Sequence, residues 1–141
     1  MTTPEPLRDA AARPREHPDV RFAPEQHAID LRAAAGELAR TPGRHGHRQK
    51  AIYRHGLLTV ALFTFDAGAS LPDHVAAGVV TINVLDGLLR VSAGGVERAL
   101  PAGNLLVLAP GVRHDVYAEQ PSTMLLQVCL EDGGDGPAPT R

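Results

Sequence analysis

The 141-residue sequence predicts an all-β fold. The expected form is one antiparallel barrel or two facing sheets over about Arg48 to Leu130, preceded by a short helix and an irregular arm. Three observations predict it. From Arg48 onward the apolar residues follow a period of two, with turn residues at roughly every eighth to twelfth position. Only one earlier stretch, residues 30–40, has helical spacing. And about seven or eight short strands in so short a chain would expose apolar faces unless they closed into a barrel or stacked as two sheets.

Taken in order, residues 1–28 are rich in Pro, Arg and Glu without apolar period, and read as a flexible arm with an extended piece at Val20–Phe22. "DLRAAAGELAR" carries Leu31, Ala34, Ala35 and Leu38 on one helical face, with Asp30 as cap. "TPGRHG" (41–46) is a loop. "RQKAIYR" and "LLTVALFTF" read as a hairpin turning at His55-Gly56, where His55 would tolerate positive φ. "SLPD" (70–73) breaks the second strand. Val79–Leu85 alternates, and "DG" (86–87) reads as a tight turn pairing it with "LLRVS" (88–92). "AGG" (93–95) turns into "VERAL", "PAGN" (101–104) into "LLVLA", and "PGVRH" redirects the chain into "DVYA". "STMLLQVCL" (122–130) is the last strand. Residues 131–141 are Gly/Pro-rich and charged, and read as a disordered tail. The domain is therefore expected over 29–130.

Composition narrows the function classes. Apolar residues are 43% and aromatics only 4%, so the core must be aliphatic. A net charge of −2 supplies no field for nucleic acid or anionic lipid, so neither partner is expected. Cys129 is the single cysteine, which excludes an internal disulfide and a thiolate metal cluster. A reducing compartment suits it. "MTTPEPLRDAAARPREHPDVR" has no apolar segment of secretory type, and no apolar run is long enough to span a bilayer. The expectation is a cytoplasmic protein.

Two stretches resemble the cupin motifs. Gly68, five residues, His74, and Gly87 closing "GVVTINVLDG" resemble the first. Gly103, five residues, "APG" (109–111), and His114 resemble the second. The likeness covers residues 48–130 and implies a small jelly-roll β-barrel. It also implies that His74 and His114 line the inner wall as metal ligands, and that the chain is a homodimer. Of the other positions that usually carry ligands, two hold Ala76 and Val80, and the asparagine position of the second motif falls at Ala118. The chain is similar to small single-domain cupins with a degenerate metal motif. Alternation agrees with an inward His74, since Val80, Ile82 and Val84 share its parity. Two imidazoles can bind Zn, Fe, Ni or Cu, although a firm site needs a third protein ligand. The cofactor expectation is thus a divalent transition metal held weakly or not at all.

Third-ligand candidates are Asp73, Gln127 on the last strand, and the "HGH" pair His45 and His47; His17 and His27 lie outside the barrel. Arg48, Lys50 and Arg54 have even spacing and should share a face, as a solvated edge or as an anion contact at the barrel mouth. Cys129 reads as a buried small hydrophobe. "LLTVALFTF" is apolar on both parities, so its second face needs cover from the helix and from a second subunit.

These readings support a module that binds a small molecule in a pocket lined by Val80, Ile82, Val84 and Leu126 and marked by His74 and His114. The alternative is a metal-dependent cupin oxygenase or isomerase, which the missing histidine and carboxylate count against. A structural dimer with a vestigial site is a third reading. No substrate is named by the sequence.

Overall fold

The structure, a computed structural model, describes residues 25–131. The arm expected over 1–28 lies outside the described residues except for 25–28, and the tail except for Glu131. Helix α1 spans Leu31–Ala39. Asp30 caps it as expected, its carboxylate accepting from the Ala33 N–H at 3.0 Å. Leu38 is the buried residue of its apolar face, and the helix packs on the first two strands.

Nine strands follow: β1 His47–His55, β2 Leu58–Phe65, β3 Ser70–His74, β4 Gly78–Asp86, β5 Leu88–Ala93, β6 Val96–Pro101, β7 Leu105–Leu108, β8 His114–Ala118 and β9 Ser122–Leu130. They form two antiparallel sheets, ordered β1-β2-β9-β4-β7 and β3-β8-β5-β6. The chain alternates between the sheets, passing from β2 to β3, back to β4, and over again to β5. This is a jelly roll. Each ladder lies within one sheet, so the two sheets face each other rather than closing into a hydrogen-bonded barrel.

The core is the layer between them. Ile82, Val84, Leu89, Val91 and Met124 are fully buried there, each worth about 1.5–3 kcal/mol relative to exposure. Leu62 is buried on the opposite side of β2, under the helix, which explains why that strand is apolar on both parities. No helix among the described residues is long and apolar enough to cross a membrane.

Five expectations are corrected. "SLPD" is not a break: it forms β3, and the break falls at residues 66–69. Pro72 is tolerated because β3 is an edge strand and needs no donor on its free side. Asp86-Gly87 is not a hairpin turn, because β4 pairs with β7 and β9 whereas β5 pairs with β6 and β8. It is the step from one sheet to the other. His55 does not adopt positive φ; Gly56 does so at the turn (59°), and among the described residues His45 is the non-glycine residue with positive φ, at 55°. Arg48, Lys50 and Arg54 do not share a face, because a bulge between Ala51 and Tyr53 inverts the strand before Arg54. Cys129 is exposed, being on the outer parity of β9 near the strand's end.

Candidate functional site

His74 ends β3 and His114 begins β8, and the ladder sets them directly opposite each other. Their ring centroids are 4.3 Å apart, tilted by 59°. His114 is 2% exposed, while His74 is open to solvent. Each ring is oriented by its own chain. Nδ1 of His74 lies 3.1 Å from the Pro72 carbonyl, and Nδ1 of His114 lies 3.1 Å from the Val112 carbonyl. A carbonyl can only accept, so in each ring Nδ1 carries the hydrogen and Nε2 keeps the lone pair. Nε2 of His114 is buried and has no protein partner. The arrangement is therefore two imidazoles with fixed tautomers, one sealed and one accessible, and at least one unused lone pair. Such a pair accepts a hydrogen-bond donor or coordinates a metal.

The residues just before the histidines alternate to the outside. Asp73 and Arg113 form an exposed ion pair at 2.8 Å on the outer surface, worth about 0–1 kcal/mol. That pairing engages Asp73 away from the imidazoles. Gln127 is also turned outward, its amide donating to the Thr81 hydroxyl at 3.1 Å. His47 faces Phe63 and Phe65 at 6.4 and 6.1 Å, whereas His45 is exposed. Among the described residues no three His, Cys, Asp or Glu side chains gather to hold a metal.

The aliphatic residues expected to line a pocket belong to one cluster, Val80, Ile82 and Val84 as buried members and Leu126 as a half-buried neighbour. Ile82 and Val84 are sealed at 0% exposure, deep between the sheets. Val80 pairs with Leu108 nearer the histidine end. The chain bends around this end by a bond from the Gly111 N–H to the Ala76 carbonyl, which ties the β3–β4 and β7–β8 connections together. This tie was not legible from residue types, because both groups are main-chain.

Solved structures with the same architecture are numerous. A conserved protein of unknown function from Streptococcus pyogenes superposes with a TM-score of 0.65 at 19% identity, over 79% of this chain and 94% of that one. An RmlC-like cupin from Shewanella frigidimarina gives 0.58 at 21% identity, over 60% and 77%. This chain has the cupin fold. Salicylate 1,2-dioxygenase from Pseudoaminobacter salicylatoxidans also contains it, with a TM-score of 0.61 at 16% identity, over 70% of this chain and 31% of the dioxygenase chain. No family model and no curated protein matches the sequence. At these identities the likeness establishes the fold alone, and function rests on this chain's own residues.

Proposed function

We propose that this cupin is a binding module that takes a small molecule at the His74/His114 end of the sandwich, with a divalent metal held weakly by the two Nε2 atoms. One observation carries the reading: the buried Nε2 of His114, without a partner and beside the His74 ring. An unsatisfied buried polar atom costs about 1–3 kcal/mol. A metal or a donor-bearing ligand at that atom removes the cost. Both rings also present Nδ1–H to a backbone carbonyl, the outer-sphere partner that metal-bound histidines ordinarily have. When bound, the metal supplies positive charge and open coordination positions for an oxygen-bearing ligand. Two imidazoles make a loose site, because a firm one takes a third protein donor.

The test is Zn²⁺ titration of the full chain, followed by the imidazole ring resonances. The expected result is saturable, weak binding that moves both His74 and His114 and fades at acid pH, since protons compete for the same lone pairs. Zinc that leaves both rings unmoved overturns the reading. Tight binding would instead favour the oxygenase or isomerase alternative.

The homodimer belongs to the same proposal. The outer face of β4 and β7 carries Val79, Leu105 and Val107 at 37%, 59% and 57% exposure. Across the ladders Val79, Leu105 and Val107 stand opposite Cys129, Asn83 and Thr81, so the patch is uncharged. An uncharged face is complementary to itself, which suits a two-fold contact with a second copy.

A further inference from the structure

The bulge in β1 delivers a cation to the histidine end of the molecule. Before it, Arg48 and Lys50 stand opposite Thr64 and Leu62, on the outer face where the helix packs. After it, Arg54 stands opposite Thr59. Thr59 is three residues from Leu62 and therefore belongs to the inner face. It pairs with Val128, Val128 with Val80, and Val80 with Leu108. Val80 and Leu108 are buried in the core and Val128 packs against it. Arg54 thus completes an inner row running from the β1 edge to the β7 edge, and that row carries no carboxylate.

The facing sheet ends in the row Ala93, His114, His74. The two rows lie at the same end of the sandwich. The opposite end is fixed by Gly87 stepping past Ser122 and by the Gly68 N–H bonded to the Ala118 carbonyl. Arg54 and His74 also lie on the same side, because β2, the neighbour of β1, leads directly into β3. Of the other arginines on or beside the strands, Arg48 pairs with Asp66, Arg90 with Glu97 and Glu119, and Arg113 with Asp73, while Arg98 stands on β6, the edge of its sheet opposite to His74 on β3. Among the described residues Arg54 has no carboxylate within ion-pair distance, and it is exposed.

We infer that Arg54 is the anion anchor of this site, and that the ligand is a carboxylate with an apolar body. The inference rests on the reading that His74 and His114 mark the ligand site. The fork of a guanidinium matches the two oxygens of a carboxylate. Val128, the half-buried member of that row, offers the body an apolar contact. The two Nε2 atoms, with or without metal, take a further oxygen substituent.

The test uses benzoate as probe and benzamide as its neutral counterpart, titrated into the full chain and into Arg54→Gln and Lys50→Gln, with ring and backbone resonances followed. Expected is benzoate binding to the wild type that moves the His74 and His114 rings. It should weaken by about tenfold or more in Arg54→Gln and hold in Lys50→Gln, whose charge lies on the outer face. Benzamide should not distinguish wild type from Arg54→Gln. Equal benzoate affinity in Arg54→Gln overturns the inference, as does an equal loss in Lys50→Gln or no benzoate binding to the wild type. Zinc titration of Arg54→Gln separates the two proposals. Unchanged zinc binding there with no benzoate effect defeats the anchor alone. Zinc that bypasses both rings defeats the histidine site, while an Arg54-dependent benzoate effect would still support the anchor.

Discussion

Replacement of Gly87 by alanine tests whether the step from β4 to β5 is held by close backbone contact. Gly87 has φ of 90°, where a side chain adds about 1–2 kcal/mol of strain. A Cβ there would press on the Ser122 hydroxyl, on the Pro121 carbonyl and, at 2.7 Å, on the Ser122 Cα. Ser122 cannot easily yield. It is 4% exposed, accepts from the Leu88 N–H at 3.0 Å and donates to the Gln120 carbonyl at 2.7 Å. Overpacking of this kind costs about 1–3 kcal/mol. The sum is about 2–5 kcal/mol, a large part of the ~5–15 kcal/mol that holds a domain together. For a domain of this size it lowers Tm by roughly 10–20 °C. Gly103→Ala is the control: its φ is 92°, but a Cβ there meets nothing within 4 Å. It should lose only the backbone part, about 1–2 kcal/mol. Urea and thermal unfolding followed by far-ultraviolet circular dichroism measure both. Equal losses in the two variants would refute the argument, because the steric contact at Ser122 would then contribute nothing.

Other predictions concern the site and the surface. His114→Ala should destabilise by about 2–4 kcal/mol, because the ring is fully buried and leaves a cavity, whereas His74→Ala should change stability by under ~0.5 kcal/mol. Both variants should lose the zinc response, and equal unfolding midpoints would contradict the burial argument. Light scattering should give a dimer at micromolar concentration and a monomer for Val107→Glu; a monomeric wild type would remove the β4/β7 contact from consideration. In the monomeric Val107→Glu variant, Cys129, which stands opposite Val79 on that face, should react with a maleimide at nearly the rate of the unfolded chain, and protection there would count against its exposure.

Much of this fold was legible because its local signals act locally. Asp30 caps α1, and Gly94-Gly95 turns β5 into β6 across a true hairpin. Alternation along Val80, Ile82 and Val84 separated the core face from Thr81 and Asn83 without ambiguity. Two of the misreadings share a physical source: strand pairing and its register are not local. Asp86-Gly87 has the residues of a hairpin turn, but the strand after it finds a better partner in β8 than in β4. Nothing in "KAIYR" announces that one residue is extruded at Ile52, and that extrusion decides which way Arg54 faces. At the candidate site, the resemblance to the cupin motifs pointed to His74 and His114, and alternation agreed with it. The tautomers could not be read from them, because they depend on two main-chain carbonyls. Asp73 illustrates the converse: adjacent in sequence to a histidine, it is committed to Arg113 some forty residues on, on the other surface.

The two histidines are mounted on supports of unequal firmness. His114 lies on β8, a central strand bonded to β5 on one side and β3 on the other. His74 ends β3, an edge strand of five residues whose ladder is irregular between Leu71 and His74 and whose proline has no hydrogen to give. A strand so lightly held detaches and re-forms at small free-energy cost while the rest of the sheet stays intact. Any ion or molecule bridging the two rings would draw the loose one against the fixed one, so occupancy and the closing of this edge are one equilibrium. Amide hydrogen exchange along Leu71–His74 should then slow on ligation more than anywhere else in the protein.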